Sequence, residues 1–221
     1  MNNEIWKSVT TPSKGKLKYL EKYAVGETLL DIGCAQGWYA KKAKDLGFKV
    51  LAVDIENFMK VKGVDFKKIA PGEIDPQLGK RFDTVLLFDV LEHIKDEEKA
   101  LSDLSKICAR RVIISVPNKD DKNLADYNLT LVSRKDKTHQ RYYTKENLVQ
   151  KLEKHGFKMV KMNYEGAVLP GILGEFVWPS FLGHLLIKLL NKFFFIGFLK
   201  SPYFGDIYAV ADKKDENPNG Q

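Results

Sequence analysis

The sequence predicts an α/β fold, a parallel sheet wrapped by helices on both faces, and three observations carry that expectation. Short runs that are almost wholly apolar, such as Phe82–Phe88 (FDTVLLF) and 111–118 (RVIISVPN), read as strands covered on both sides. Between them lie segments whose apolar residues recur at three- and four-residue spacing, as on one face of a helix. The two kinds alternate along the chain, which is the pattern of βαβ units.

Each element has its own signal. Ser13 is placed to cap a helix running through Tyr23, with Leu17 and Leu20 on one face. A strand over 28–32 follows, then a helix from Trp38 to Leu46, with Gly47 where a helix commonly stops. Residues 49–53 read as strand, and a weaker strand near 64–69 is diluted by Lys67 and Lys68. After the strand at 82–88, Asp96 caps a helix whose Ala100, Leu101, Leu104, Ile107 and Cys108 share a face. Pro117 ends the strand at 111–118. Thr144 caps a helix with Leu148, Val149 and Leu152 inward and Gly156 at its end. Strands near 157–163 and 205–211 complete the series. Neither an internal repeat nor a linker divides the chain, so one domain over 1–221 is expected. Its core would be 13–165 and 204–212, with an apolar helical insertion at 166–203 and a disordered tail at 213–221.

Composition bounds the function. With 44% hydrophobic and 29% charged residues in 221, this is an ordinary globular chain rather than a fibrous one. The net charge of +7 permits an anionic partner and requires none. Cys34 and Cys108 are its two cysteines, too few for a disulfide framework, and no Cys/His ligand spacing points to a metal. The first 25 residues lack an apolar stretch ahead of a cleavage site, so a cytoplasmic protein is expected.

The chemistry concentrates where the first strand ends. In open α/β sheets ligands bind beyond the carboxyl ends of the strands. There the chain reads Asp31-Ile32-Gly33-Cys34-Ala35-Gln36-Gly37. Gly33 can take a positive φ and let a ligand approach the backbone, and Gly37 can let the helix start pack close to the strand. A dinucleotide site would want Gly-x-Gly-x-x-Gly and a pyrophosphate on the helix N-terminus. Here Asp31 would repel a pyrophosphate and suit a cation. Asp54 stands at the end of the second strand, where a carboxylate accepts both hydroxyls of a ribose. The pair suits a nucleoside with a positively charged, phosphate-free extension, which describes S-adenosylmethionine. The competing explanation is a tight turn with exposed aspartate caps.

LLDIGCAQGWYAKKAKDLGFKVLAVDI, FDTVLLFDVLEHI, RVIISVPN and HQRYYTKENLVQKLEKHGF occur in that order. Together they resemble class I S-adenosylmethionine-dependent methyltransferases, in particular the small-molecule branch of ubiquinone-biosynthesis O-methyltransferases and MetW-like proteins. The resemblance covers about 15–165 and the final strand. It implies a Rossmann-like, doubly wound, seven-stranded sheet with the last strand antiparallel. It also implies that Asp31 and Gly33 hold the methionine end, Asp54 the ribose, Ile55 the adenine face, and that Asp89 lines the methyl-transfer pocket. One position departs from it. Relatives often carry Gly-Asp after the third strand, where this chain has Ile69-Ala70 and then Pro-Gly-Glu, leaving backbone or Glu73 to meet the adenine amine.

Methyl transfer needs in-line positioning, and a base only where the acceptor must lose a proton. His93, in VLEHI, and His139, in THQRYY, are the candidate catalytic residues, and the resemblance includes Glu92-His93 as a frequent pair. Each could instead merely hold its loop. His155 reads as a helix C-cap. Arg134, Lys135, Lys137, Arg141 and Lys145 with Tyr142 and Tyr143 could hold RNA or an anionic substrate. Asp89-Val90-Leu91-Glu92 stands where nucleic-acid amino-methylases resemble one another in Asn/Asp-Pro-Pro-aromatic, which argues against nucleic acid.

From Phe181 to Leu199 the insertion is apolar enough to raise a membrane span. His184, Lys188, Asn191 and Lys192 interrupt it, and at helical spacing they share about 100° of arc. Two mid-span lysines make insertion costly. Such a helix can pack on the domain or a second copy, cover an apolar substrate, or lie in a membrane interface through 178–199, where Trp178 and Phe193 to Phe195 would help. The expected activity is methyl transfer from S-adenosylmethionine to a small, lipophilic acceptor, foremost at oxygen. The alternative is a methyltransferase-like binding or scaffold protein without turnover.

Overall fold

The computed structural model describes residues 11–72, 74, 78–119, 136–167, 180–196 and 203–214. Helix α1 (Lys14–Tyr23) precedes strand β1 (Thr28–Ile32). Helix α2 (Trp38–Asp45), strand β2 (Lys49–Asp54) and the short β3 (Asp65–Lys68) follow. Strand β4 (Phe82–Phe88) leads through a 3₁₀ turn at Leu91–His93 into helix α3 (Glu97–Ile107) and strand β5 (Cys108–Pro117). Helix α4 (Lys145–Lys154), strand β6 (Phe157–Ala167), helix α5 (Ser180–Phe195) and strand β7 (Phe204–Lys213) complete the order.

The strands form one seven-stranded sheet in the order β3-β2-β1-β4-β5-β7-β6. β1 pairs in parallel with β2 and β4, β4 with β5, and β2 with β3, while β7 is antiparallel to both neighbours. This is the expected mostly parallel sheet with its last strand reversed. Leu30, Ile32, Val85, Leu87, Val112 and Ile114 pack with Leu101, Leu104, Leu148 and Leu152 on one face. Leu29, Leu86, Ile113 and Val210 meet Tyr19 and Leu20 on the other. Both faces are therefore filled, which is why the central parts of β1, β4 and β5 read as mostly apolar runs.

The predicted caps hold at two of three helices. The Asp96 carboxylate accepts from Lys99 N at 3.0 Å. Thr144 forms a reciprocal capping box with Asn147. Ser13 occupies the N-cap position of α1 but makes no side-chain cap bond, because its hydroxyl is turned toward Tyr208 Oη at 3.4 Å. Leu20 is fully buried on α1, whereas Leu17 is half-buried. β6 runs four residues past the predicted 163, its polar outer half hydrogen-bonded to β7 as far as Ala167↔Phe204. Lys213, assigned by sequence to the tail, pairs with Phe157 as the last residue of β7.

Candidate functional site

β1, β2, β4 and β5 all point their carboxyl ends at one edge of the sheet, and β7, running the other way, begins there. Asp31 is 1% exposed near the end of β1. The Ala40 N–H donates to its carboxylate, so Asp31 caps the first turn of α2, whose own N-cap is the side-chain-free Gly37. Asp31 Oδ2 has no hydrogen-bond partner. Burial pushes its pKa up to about 7, against the Ala40 bond and with a smaller contribution from the Asp54 charge. A buried carboxylate oxygen with no donor is costly to the protein alone and well matched to a cationic or N–H-bearing ligand.

The loop after Asp31 folds tightly over β2. Gly33 N and Cys34 N both donate to Val53 O, at 2.8 and 3.1 Å. Gly33 has φ 69°, and a Cβ there would stand 2.4 Å from Val90 Cγ2. Ala35 takes φ 44°, a strained value for a residue with a Cβ, and its N–H is held by Asp54 Oδ2 at 2.8 Å. The loop therefore keeps a glycine-like path through an alanine because Asp54 anchors it.

Asp54 also accepts from Ile55 N at Oδ1, 2.7 Å. Burial raises its pKa, while the N–H groups of Ala35, Ile55 and Glu56 work against that rise. Each oxygen accepts more than one bond, so the capacity for a ribose diol remains. Ile55 is half-buried beside it. The orphan oxygen of Asp31, the close-packed Gly33 and the half-buried Asp54 together fit S-adenosylmethionine. Glu73, a candidate for the adenine amine, lies outside the described residues.

Asp89 follows β4 in a left-handed conformation, φ 56°. Its N–H donates to Ser115 O at 3.0 Å, and Ser115 Oγ donates to Asp89 Oδ1 at 2.6 Å. Lys16 pairs with Asp89 Oδ2. Burial opposes the Lys16 charge, but Asp89 more than offsets this and the ammonium's pKa is raised. Asp206, at the start of β7, has its pKa pushed up to about 6 by burial and then by the charge of Asp89. Sequence reasoning missed Lys16 and Asp206. A lysine on the buried face of a helix looks like a solvated one, and β7 shows its neighbours only once paired.

The 3₁₀ turn after Asp89 carries Glu92 and His93. Arg141 fastens it by donating to Leu91 O at 3.1 Å, to Lys95 O at 2.8 Å and to Ile94 O. His93 and His139 meet edge to face with ring centroids 4.7 Å apart. Burial, and then the neighbouring His139, lower the pKa of His93. Glu92 is 1% exposed with neither carboxylate oxygen hydrogen-bonded, and burial followed by the Asp89 charge raises its pKa well above the usual range. Ligand-type atoms of Glu92, His93 and His139 all lie within 4.8 Å of one another. No metal-ligand spacing announces this group along the chain, because β5 separates its members.

The basic, aromatic loop is less of a surface than its composition suggests. Arg134 and Lys135 lie outside the described residues. Arg141 serves the turn just described, Tyr143 donates to Glu97 at 2.6 Å from a buried position, and Lys145 sits 3.7 Å over the Tyr164 ring. His155 is the C-cap of α4, with Nδ1 2.8 Å from Lys151 O. On α5, Phe181, Leu185 and Leu189 are 66%, 62% and 47% exposed, so this face is not packed on the domain. Trp178 lies outside the described residues, and among those described no helix is long and apolar enough to cross a membrane.

A sheet of this order with β7 antiparallel, and a glycine loop between two strand-end aspartates, is the frame of a class I S-adenosylmethionine-dependent methyltransferase. The methyltransferase-domain family model matches residues 10–162, and the chain belongs to that family. A ubiquinone biosynthesis O-methyltransferase from Rhodopseudomonas palustris (strain HaA2) is 27% identical over 161 residues, 65% of this chain and 62% of that protein. The alignment thus spans less than two thirds of that relative. Among solved structures, a SAM-dependent methyltransferase from Archaeoglobus fulgidus superposes with TM-score 0.61 at 22% identity, covering 96% of this chain and 95% of that one. Magnesium protoporphyrin IX methyltransferase from Synechocystis PCC 6803, with bound SAH, gives TM-score 0.58 at 14% identity, covering 90% and 81%.

Proposed function

We propose that the chain is a cytoplasmic methyltransferase that uses S-adenosylmethionine to methylate a small, lipophilic acceptor at oxygen. The observation that carries this reading is the partnerless, buried Asp31 Oδ2 beside a glycine loop that Asp54 anchors. Asp31 and Gly33 would hold the methionine end, Gly37 opens α2 beside it, Asp54 would take the ribose hydroxyls and Ile55 would flank the adenine. When bound, the cofactor supplies a methyl group on a positively charged sulfur. Asp89, fixed by Ser115 and Lys16, faces the acceptor side, and His93 and His139 line the turn next to it. These groups orient the acceptor for in-line approach, and positioning of that kind can supply much of the rate.

The named O-methyltransferase relatives support oxygen as the atom methylated. The exposed apolar face of α5 supports a lipophilic acceptor met at a membrane surface. Lys188 and Lys192 lie on that helix, and residues 180–196 contain no acidic side chain, which suits an anionic bilayer better than a second copy of this basic chain.

Calorimetric titration with S-adenosylmethionine and with its demethylated product tests the donor site. Wild type should bind both. Asp54→Ala should lose roughly 1.5–3 kcal/mol, or about 10- to 150-fold, with the fold checked by circular dichroism. A wild type that binds neither compound would leave a methyltransferase fold without the activity.

A further inference from the structure

We propose that Asp206, at the start of β7, is the catalytic base that takes the proton of the acceptor's hydroxyl, an inference that rests on the methyltransferase reading above. β7 runs against its neighbours and so begins at the edge where β1, β4 and β5 end. Asp206 stands opposite Pro117 of β5 and Glu165 of β6. Two residues on, Tyr208 packs against Tyr19 of α1, with ring centroids 5.0 Å apart. By the alternation of a strand, Asp206 faces the same side. That is the side on which Lys16 of α1 reaches Asp89.

A structural role does not account for this carboxyl group. Asp89 is engaged by Lys16 and Ser115, and Glu165 accepts from Tyr19 Oη at 3.3 Å. Among the described residues no hydrogen bond reaches the Asp206 carboxylate, and the residue is half-buried rather than sealed. Its Oδ2 looks onto Gly166, which has φ 67° and where a Cβ would stand 3.1 Å from that oxygen. A side chain at 166 would crowd the carboxylate, so the glycine keeps its approach open. The charged and titratable groups around it are Lys16 on α1, Asp89 after β4, Glu92 on the 3₁₀ turn, Glu165 on β6 and Tyr208 on β7. Burial and then the charge of Asp89 raise the pKa of Asp206 to about 6, with Lys16 working against them and Glu165 adding to them. Such a group is ionised at neutral pH and still basic enough to accept a proton.

In the transfer step the acceptor O–H gives its proton to the Asp206 carboxylate. An oxygen lone pair forms the new O–CH₃ bond, which leaves the electrons of the S–CH₃ bond on sulfur. Asp206 then returns its proton to solvent. Lys16 is a positioning residue in this scheme, because it holds Asp89 by direct pairing and its charge lowers the pKa of Asp206.

The test follows methylation of catechol and of 4-nitrocatechol, whose hydroxyl is already ionised at pH 8, by the full-length protein with S-adenosylmethionine. A base must be ionised to act, so wild-type kcat/KM on catechol should rise as pH rises through about 6 and then level off. Asp206→Asn should lose that limb and roughly 10²- to 10⁴-fold in kcat on catechol. It should lose far less on 4-nitrocatechol at pH 8, where no proton remains to be taken, and should bind S-adenosylmethionine as wild type does in calorimetry. Lys16→Met should move the limb to higher pH, since the lysine charge lowers the pKa of Asp206. Equal losses on the two probes, or a limb that survives in Asp206→Asn, overturns the base. Donor binding with catechol methylation undiminished in Asp206→Asn defeats only this proposal. Wild type that binds no S-adenosylmethionine, or binds it and methylates neither probe, defeats the reading it rests on.

Discussion

Replacing Asp31 by asparagine should make the unliganded protein more stable and the donor site weaker. The carboxyl group is fully buried, its pKa is about 7 against an ordinary value of 3.8, and one oxygen has no partner. A group whose folded pKa is raised binds more protons in the native than in the unfolded state between those two values. Stability therefore falls as pH rises through that window and levels off above about 7. The gap from 3.8 to about 7 corresponds to about 4 kcal/mol in full. From pH 5 to pH 7 alone the loss is about 2.3 kcal/mol, because the slope of about 1.36 kcal/mol for each step of one in pH flattens as the group titrates near 7. The asparagine amide keeps an acceptor for the Ala40 N–H and carries no charge at any pH, so the variant escapes that loss. Urea unfolding at pH 5, 6, 7 and 8 should show the variant gaining on wild type by about 2–3 kcal/mol across the series. Other buried carboxylates titrate in both proteins and cancel in the comparison. Calorimetry at pH 8 should show the opposite sign for S-adenosylmethionine, with the variant binding more weakly. A gap in stability that stays constant with pH would mean that Asp31 is ionised at no unusual cost, and the argument that this carboxylate suits a cationic ligand would fall with it.

Two further expectations concern the frame around that site. Gly33→Ala meets both a positive φ and a Cβ position 2.4 Å from Val90 Cγ2, and should cost about 1–3 kcal/mol in urea unfolding. Adding Val90→Ala should recover part of this and not all, since the φ strain remains; full recovery would assign the cost to crowding alone. Thr144→Ala removes the capping box of α4 and should lower stability by about 1 kcal/mol, seen as a lower urea midpoint at unchanged slope.

The buried parallel strands were legible because apolar cover on both faces leaves little room for polar residues. β1, β2, β4 and β5 fell within three residues of their predicted bounds for that reason. β6 was read short because it is an edge strand, where Lys158, Lys161 and Glu165 look like loop composition until β7 pairs with them. Strand-end aspartates could be found because their position follows from the strand itself. Contacts that depend on how the chain closes could not. Lys16 reaches Asp89, Asp206 comes alongside it, and His93 meets His139 only after α1, β7 and the segment following β5 have been placed on the sheet edge. Ser13 shows the converse: its residue type and position both suited a cap, yet Tyr208 arrives from β7 and takes the hydroxyl.

The carboxyl edge of the sheet concentrates a cost that the rest of the domain does not share. Burial raises the pKa of Asp31, Asp54, Glu92 and Asp206, all on or beside this edge, whereas Asp83 at the opposite end is lowered by the N–H groups of Glu27 and Thr28. The same residue type thus behaves oppositely according to whether backbone donors are supplied. Asp89 shows that the fold can supply a partner at this edge when one is needed for structure, since Lys16 and Ser115 both engage it. Asp31 and Glu92, on the same edge, receive no such partner at the oxygens left bare. Their two environments also differ in kind. Asp31 retains one backbone donor and a glycine loop that admits a flexible organic ligand. Glu92 lies beside His93 and His139, and burial followed by the Asp89 charge raises its pKa well above the usual range. The edge therefore spends folding stability on carboxyl groups that a structural role alone does not need, and Asp31, with its bare oxygen beside the glycine loop, is the clearest instance.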